Sequence, residues 1–261
     1  MKVLIVGDLT GKPGRDILEK YLFNNRKKYD MVIINGENSA GGFGLTPKIA
    51  DKILKLGVDV ITSGNHIWDK KEIYPYLDSE ERVLRPLNYI STTPGHGSTI
   101  VETKTGFKVG VINIQGRIFM PELESPFLVI EEEVEKLREE TNMVIVDFHA
   151  EASSEKIAMG WLLDGKASVV YGTHTHVLTA DNKILDKGTG YITDIGMTGG
   201  FDGIIGMEKE NIIQKFKDAL PTRFKICKTN LRLNGIEVDL NNETGRCENI
   251  SRVDIGIDEL E

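Results

Sequence analysis

The first residues of the chain, Lys2-Val3-Leu4-Ile5-Val6-Gly7-Asp8, form a short apolar run that ends in glycine and aspartate. A continuous apolar run of this length, closed by a turn signal, predicts a strand that is buried on both faces. Pro13-Gly14-Arg15-Asp16 then opens a helix, which we expect to continue to Tyr29 because its apolar residues recur at helical spacing. This strand and helix begin the pattern that decides the fold.

The same alternation continues along the chain. Residues 31–34 predict a second strand, and residues 58–63 predict a third. Between them Thr46-Pro47 predicts the N-terminus of a second helix, which Gly57 ends. The order β-α-β-α-β predicts a parallel sheet with right-handed crossovers.

The alternation of strand and helix signals is interrupted after Pro86. Residues 98–102 and 107–113 flank Lys104-Thr105-Gly106 and predict an antiparallel hairpin. Helices are expected near residues 131–140 and 155–163, each followed by an apolar strand. From Lys183 onward, turn signals such as Asn234-Gly235 predict a β-rich tail that forms a second sheet. We therefore expect an α/β layered sandwich with mixed sheets, as a single domain over residues 1–261.

Composition excludes several classes of protein. The 261 residues carry a net charge of -8, which argues against strong non-specific binding to nucleic acid. No apolar run approaches the roughly 20 residues that span a bilayer, and the N-terminus has no signal-peptide pattern, so we expect a cytoplasmic protein. Cys227 and Cys247 form no CxxC pair and are expected to be reduced thiols.

Two histidines one residue apart, in Gly172-Thr173-His174-Thr175-His176, follow the apolar run 167–171. In an extended segment, residues i and i+2 project to the same side, so His174 and His176 are expected to face one point. Only five histidines occur in the chain. Their concentration after strand-like runs indicates a metal site.

Other polar residues that suit metal binding also follow predicted strands. The carboxyl ends of parallel strands meet at one edge of a sheet, and the glycines before several of these residues are expected to let the backbone turn tightly. Taken alone, Asp8 could cap a helix, Asn65 could be a turn residue and His149 could be an ordinary core histidine. The full set of predicted metal ligands is Asp8, Glu37, Asn38, Asn65, His149, His174 and His176.

Oxygen and nitrogen ligands together suit Mn, Fe or Zn better than Ca or Mg. Seven ligands are too many for one tetrahedral ion, and they are about right for two ions that share a bridging carboxylate. A P-loop is excluded at Gly7-Asp8-Leu9-Thr10-Gly11-Lys12-Pro13, because the motif is one residue short and has proline where serine or threonine should hold Mg.

These motifs resemble the calcineurin-like metallophosphoesterases. Details such as Asn35-Gly36-Glu37-Asn38-Ser39-Ala40-Gly41-Gly42 and Asp147-Phe148-His149-Ala150-Glu151 are similar to the YmdB-like branch of that superfamily. The resemblance covers nearly the whole chain, and it implies a four-layer α/β/β/α sandwich. It also implies two divalent or trivalent metal ions, with iron favoured and manganese or zinc as alternatives, and a homo-oligomer.

The resemblance also implies a division of the ligands between the two metals. Asp8, Glu37, Asn38 and His176 would hold one ion. Glu37, Asn65, His149 and His174 would hold the other, with Glu37 as the bridge. The superfamily's first motif is Asp-x-His, whereas this chain has Thr10 at the histidine position, and Asn38 is expected to take the place of that histidine.

His66 is the predicted catalytic residue by the same resemblance. An imidazole beside the leaving group can donate a proton to the departing oxygen. The expected activity is a dinuclear, metal-dependent phosphodiesterase, in which a metal-bridging hydroxide attacks a small phosphoester or nucleotide substrate. The resemblance favours 2',3'-cyclic nucleotides, with 3',5'-cyclic nucleotides also considered.

Two other functions stay open on the sequence alone. One is a non-catalytic regulatory protein that binds metal and nucleotide on the same fold, which the altered first motif favours. The other is a metal-dependent amidohydrolase, although that class would place its His-x-His pair in an early strand, and here the pair comes late.

Overall fold

The computed structural model describes residues 1–260, and it contains two β-sheets with helices on their outer faces. The strands are β1 (Lys2–Val6), β2 (Asp8–Leu9), β3 (Met31–Asn35), β4 (Val60–Thr62), β5 (Ser98–Glu102), β6 (Lys108–Gln115), β7 (Val144–His149), β8 (Val169–Thr173), β9 (Lys183–Ile184), β10 (Gly190–Ile192), β11 (Met197–Gly200), β12 (Leu231–Leu240) and β13 (Cys247–Gly256). The α-helices are α1 (Gly11–Asn25), α2 (Pro47–Lys55), α3 (Tyr74–Ser79), α4 (Pro126–Arg138), α5 (Ser153–Leu162) and α6 (Lys209–Asp218). Single turns of 3₁₀ helix lie at Arg26–Lys28, Asn65–Asp69, Lys71–Ile73 and Ile257–Leu260.

Both sheets are mixed. The first has seven strands in the order β2-β11-β12-β1-β3-β4, with β13 paired to β12. Its strands β1, β3 and β4 run parallel, and β12 is antiparallel to β1. The second has six strands in the order β5-β6-β7-β8-β10-β9, of which β6, β7, β8 and β10 run parallel. The parallel strands of each sheet therefore deliver their carboxyl ends to one edge.

Alternate residues of the strands serve different layers. In β1, Ile5 belongs to the apolar cluster between the two sheets, which also contains Ile145 of β7. Its neighbour Leu4 points the other way and belongs to the cluster beneath α1 and α2. A third cluster joins the far face of the second sheet to α4 and α5, through residues such as Val146 and Met159. The resulting layer order is α/β/β/α, which confirms the predicted sandwich.

Local signals placed most elements correctly. Thr46 is the N-cap of α2, and its hydroxyl accepts a hydrogen bond of 3.3 Å from the main-chain N–H of Ile49. Gly57, with φ of 94°, follows the end of that helix. The hairpin of β5 and β6 forms around residues 104–106 as predicted. The first helix begins at Gly11, two residues before Pro13.

The prediction for the tail is wrong in two respects. Its strands form no separate sheet, because β9 and β10 extend the second sheet while β11, β12 and β13 extend the first. Asn234-Gly235 is not a turn but lies within β12, where a Cβ on Gly235 would come 2.2 Å from the carbonyl oxygen of Ile5 in β1. Glycine is required there by the close approach of the neighbouring strand.

The sandwich shares one central core between its two sheets, and this supports the prediction of a single domain, which stays a prediction. None of the helices within residues 1–260 combines the length and apolarity needed to cross a bilayer.

Candidate metal centre

The seven predicted ligands lie together at the edge where the carboxyl ends of both sheets meet. Oxygen donors come from the first sheet, since Glu37 follows β3 and Asn65 follows β4. Nitrogen donors come from the second sheet, since His149 ends β7 and His174 follows β8. The donor atoms of Glu37, His149 and His174 all lie within 4.8 Å of one another. This proximity is what a shared cation requires.

His149 is the centre of the first group of donors. Its Nε2 atom lies 3.2 Å from Glu37 Oε1, 3.2 Å from Asn65 Oδ1 and 3.1 Å from His174 Nδ1. One ring nitrogen can donate or accept a single hydrogen bond, so it cannot satisfy three partners at once. A cation bound among these atoms would satisfy all four, which matches the ligand set expected for one metal.

The second group is built around Asp8, which opens β2 and is fully buried. Asp8 Oδ2 lies 3.2 Å from His176 Nε2 and accepts a hydrogen bond of 3.1 Å from the main-chain N–H of His174. Asn38 Nδ2 lies 3.2 Å from His176 Nε2 and donates to Glu37 Oε1 over 3.1 Å. Glu37 therefore touches both groups, as a bridging ligand must.

Two oxygens in this second group are buried without a hydrogen-bond partner. Asp8 Oδ1 and Asn38 Oδ1 are both buried, and neither has a hydrogen-bond partner within residues 1–260. A buried polar oxygen without a partner costs about 1–3 kcal/mol, so such atoms are rare without a compensating role. A cation would satisfy Asp8 Oδ1, and it would satisfy Asn38 Oδ1 once the amide is turned so that its oxygen, and not Nδ2, faces His176 and Glu37. The donors present therefore fit the two-metal expectation, including Asn38 in place of a histidine at position 10.

Thr10 itself is no ligand. It is the fully buried N-cap residue of α1, and its hydroxyl donates to the main-chain oxygen of Asp8 over 3.3 Å. The departure from the Asp-x-His pattern thus places a helix-start residue where the superfamily has a metal-binding side chain.

The electrostatics of the cluster follow from burial and opposite charge. Burial would raise the pKa of Glu37, but the nearby His149 and His66 lower it to about 2. Burial would lower the pKa of His149, but Glu37 and Asp8 raise it to about 9. Burial and the charge of His149 lower the pKa of His174 to about 3. At neutral pH the proton of this pair is therefore on His149 and not on Glu37, so a metal bound through His149 Nε2 must displace that proton.

Hydrogen bonds behind the cluster set which ring nitrogens face it. Thr173 Oγ1 lies 2.8 Å from His149 Nδ1 and donates to Asp147 Oδ1 over 2.7 Å, so His149 Nδ1 must be the donor to Thr173. Nε2 is thereby left as the ligand atom. The Ile205 carbonyl does the same for His176, accepting from Nδ1 over 3.0 Å. Such outer partners orient metal-binding histidines.

Asp147 is itself held in a polar pocket inside β7. It also accepts hydrogen bonds from the Thr62 hydroxyl and from Asn35 Nδ2, the latter over 3.2 Å. Burial raises its pKa to about 7, against the lowering effects of His149 and the Thr173 hydroxyl. A carboxyl group in the middle of an apolar strand was the signal from which this residue could have been found.

The segment 174–176 departs from the expected extended geometry. His174 has φ of 95° and His176 has φ of 65°, so strand alternation does not bring them together, although both side chains do reach the metal centre. Positive φ in residues other than glycine costs about 1–3 kcal/mol and persists only where contacts enforce it. The enforcing contacts lie at Thr175, whose main-chain N–H and hydroxyl both donate to Asp194 Oδ2, over 3.1 and 2.8 Å.

Asp194 is in turn paired with a buried lysine of α5. Lys156 Nζ lies 2.6 Å from Asp194 Oδ2, and each side chain is 1% exposed. The Gly196 N–H donates to the other oxygen over 2.8 Å. This buried ion pair fixes the loop that carries both histidines, and sequence reasoning missed it because the two residues are 38 positions apart.

Space, and not backbone freedom, explains the glycine before Asn65. Gly64 has an extended φ of -158°, which any residue can adopt. A Cβ at this position would lie 2.1 Å from His149 Nε2 and 2.5 Å from Glu37 Oε2. The expectation that this glycine serves a tight turn is therefore wrong. It lets the backbone pass against the ligands themselves.

His66 lies beside the cluster and not within it. Its main-chain N–H donates to Glu37 Oε2 over 3.1 Å, and its Nδ1 lies 2.9 Å from Asp69 Oδ2. The Phe43 ring packs against the imidazole in an edge-to-face arrangement, with centroids 4.9 Å apart. The side chain is 30% exposed and lines a cavity of about 500 Å³ that opens onto the cluster.

Glu151 was also missed by the sequence analysis. It lies 3.2 Å from His174 Nε2 through Oε2 and lines the same cavity. With Nδ1 of His174 facing His149, this contact holds the ring by its outer nitrogen.

Comparisons with known proteins agree with the fold and the motifs. A family model for YmdB-like proteins matches residues 4–253. A Bacillus subtilis (strain 168) protein named 2',3'-cyclic-nucleotide 2'-phosphodiesterase is 48% identical to the chain, covering 100% of it and 99% of the relative.

Two crystal structures superpose on nearly the whole fold. A hypothetical protein of Thermus thermophilus aligns with a TM-score of 0.92 at 41% identity, covering 98% of this chain and 99% of the other. A structure described as a novel phosphatase of Mycoplasma pneumoniae aligns with a TM-score of 0.91 at 34% identity, covering 98% and 93%. The resemblance predicted from the strand-end motifs is confirmed, and the chain belongs to the YmdB-like family.

Proposed function

We propose that this protein is a dinuclear, metal-dependent phosphodiesterase that hydrolyses 2',3'-cyclic nucleotides at the 2' ester bond. The observation that carries the proposal is the convergence of seven buried or half-buried oxygen and nitrogen donors around two points that share Glu37. The identity of 48% to a relative of that name, over the full chain, supports the substrate class.

The seven donors would divide between two ions. Glu37, Asn65, His149 and His174 would hold one ion, and Asp8, Asn38, His176 and again Glu37 would hold the other. Bound metals of this kind lower the pKa of water and neutralise phosphate oxygens. Iron is our preferred ion from family resemblance, and the mixed oxygen and imidazole set suits Mn or Zn as well.

His66 is the proposed general acid. Its Nδ1 is held by Asp69, which leaves Nε2 available to a substrate in the cavity. Hydrolysis at the 2' ester releases the 2' oxygen, and the imidazole would give that oxygen its proton. The product would be a nucleoside 3'-phosphate. We also propose that the protein acts in the cytoplasm, as the sequence pattern predicts, and that it is a homo-oligomer, from family resemblance.

The test begins with metal-free protein. Mn²⁺ or Fe²⁺ is added, and hydrolysis of 2',3'-cyclic AMP, 3',5'-cyclic AMP and a model phosphodiester is followed together with elemental analysis. We expect two metals per chain and the 3'-phosphate as product. If no substrate is turned over while nucleotide binds tightly, the protein is the non-catalytic binder and the proposal is refuted.

A pair of histidine variants isolates the role of His66. In His66→Ala we expect both metals to stay bound and turnover to fall by about 10²–10⁴-fold, the usual contribution of a positioned acid. His96→Ala is the matched control, because His96 is exposed and lies outside the cavity. Loss of metal from His66→Ala would show that the residue is a ligand.

A further inference from the structure

The cavity beside the metal centre has two chemically different walls. One wall presents predicted ligands and His66, and the other is apolar. The apolar wall consists of Ile204, Ile205, Met207, Ile212, Phe216 and Phe224, while Phe43 packs against His66 itself. Among the described residues that line the cavity, Lys215 is the only lysine or arginine, and its Nζ lies 4.8 Å from the centre of the Phe224 ring.

Ile205 sits in a conformation that its residue type disfavours. Ile204 and Met207 pair across a tight turn, with N–H to O distances of 2.8 and 3.0 Å, and the two residues between them have φ of 44° for Ile205 and 88° for Gly206. Turns with positive φ at both central positions favour Asn-Gly. A β-branched residue with positive φ is a genuine outlier.

Neither the turn nor His176 explains this isoleucine. The bond from His176 Nδ1 goes to the main-chain oxygen of Ile205, which any residue would supply. The side chain packs into no core, since 52% of the residue is exposed at the cavity. Strained backbone clusters at active sites and ligand-binding positions, so we infer a role for the isoleucine side chain at the cavity.

Phe216 shows the same mismatch between chemistry and environment. It projects from α6 and is 82% exposed, although it lines the cavity. Exposed apolar groups that are contiguous with a polar site are typical of ligand-binding surfaces. An aromatic and aliphatic surface that adjoins the metal centre is complementary to a ligand that has an anionic end and a planar, apolar end.

We propose that this apolar wall is the subsite for the nucleobase of the substrate, with Ile205 and the phenylalanines contacting its face and Lys215 beside it. The inference rests on the proposed function, because the phosphate end of the same ligand would lie at the metal centre. A cavity of about 500 Å³ is within the usual range for a ligand of mononucleotide size.

The test measures what the base contributes to binding. Manganese-loaded protein is titrated calorimetrically with adenosine 3'-phosphate and with ribose 3-phosphate, which lacks the base. We expect the nucleotide to bind about tenfold more tightly, as stacking on aromatic side chains gives for single bases. A ratio near one in the wild type would overturn the proposal.

Two variants then test which side chains are responsible for the tighter binding of the nucleotide. Ile205→Asn restores the residue favoured by the turn, so we expect an unchanged or higher melting temperature together with a lower ratio. Phe216→Ala should also lower the ratio. Phe23→Ala is the control, since Phe23 is 90% exposed on α1 and lies outside the cavity. If the ratio survives both variants, the base binds elsewhere and the proposal is wrong.

Turnover of 2',3'-cyclic AMP and of ribose 2,3-cyclic phosphate, measured on the same protein, separates this inference from the proposed function. Base-dependent binding without hydrolysis of either compound would refute the phosphodiesterase and keep the subsite. Hydrolysis of both compounds at equal kcat/KM, with equal binding, would keep the phosphodiesterase and refute the subsite.

Discussion

Replacing Lys156 with methionine tests the buried ion pair beneath the histidine loop. In the native protein Lys156 Nζ and Asp194 Oδ2 are 2.6 Å apart, and neither side chain is more than 1% exposed. Methionine matches the apolar stem of lysine, so the change removes the charge with little loss of packing. The Asp194 carboxylate is then left buried opposite no cation.

The size of the stability loss depends on the Asp194 carboxylate that is left without its cation. Removing one partner of a buried pair costs about 3–5 kcal/mol, because the remaining charge is uncompensated. Asp194 keeps the hydrogen bonds from Thr175 and from the Gly196 N–H, and these soften the loss. We therefore expect Lys156→Met to lower the free energy of unfolding by about 3 kcal/mol at neutral pH.

The loss in free energy of unfolding caused by Lys156→Met must also depend on pH. Burial raises the pKa of Asp194, and Lys156 opposes that rise. Without Lys156 the native pKa rises further above the unfolded value of about 3.9, so the native state holds a proton that the unfolded state has lost. Stability then falls as pH rises from about 4 towards the native pKa. The deficit relative to the wild type should be larger at pH 8 than at pH 5.

Urea unfolding of both proteins at pH 5 and pH 8 measures these quantities. Lys166→Met is the matched control, because Lys166 pairs with Glu131 at a site where both side chains are about 40% exposed, and we expect its cost to be below about 1 kcal/mol. Adding Asp194→Asn to Lys156→Met should recover part of the lost stability. A deficit under about 1 kcal/mol, or one that is larger at pH 5, would refute the reasoning.

Four further predictions concern the metal centre, its surroundings and one helix cap. Gly64→Ala should abolish binding of at least one metal, measured by elemental analysis, because the new Cβ would lie 2.1 Å from His149 Nε2; retention of both metals would contradict the geometry. Thr173→Val should weaken metal binding by about 10–100-fold in a chelator competition, because His149 loses the partner of Nδ1; an unchanged affinity would remove Thr173 from this role. Metal removal should lower the melting temperature, since a ligand at 100 times its Kd stabilises the native state by about 2.7 kcal/mol. Thr46→Ala should lower the free energy of unfolding by about 1 kcal/mol with the metal content intact, because only a helix cap is lost.

Much of the fold could be predicted from local sequence signals. Apolar runs such as Lys2–Val6 and the Thr46-Pro47 cap depend on neighbours in sequence, so they could be interpreted without coordinates. The strand pairing of the C-terminal tail could not be predicted in this way. Residues of β12 pair with β1 across more than 200 positions, for example Asp239 with Lys2, and no local signal specifies which of two sheets accepts such a strand.

The candidate site shows the same division. The predicted ligands were found because strand ends in an α/β sheet converge by topology. The positive φ of His174 and His176 was not foreseeable, because it is enforced by Asp194, a residue from another loop. Ile205 escaped notice for a different reason, since an isoleucine before a glycine has no polar chemistry to mark it.

The origin of the donors explains why the site lies at the junction of the two sheets. The carboxylate and amide donors, such as Glu37 and Asn65, belong to the first sheet, and the imidazole donors, such as His149 and His174, belong to the second. Neither sheet alone offers a mixed oxygen and nitrogen set. A cation held by Glu37 and His149 would therefore connect the two sheets above their shared apolar core, so metal binding and the docking of the sheets must stabilise each other.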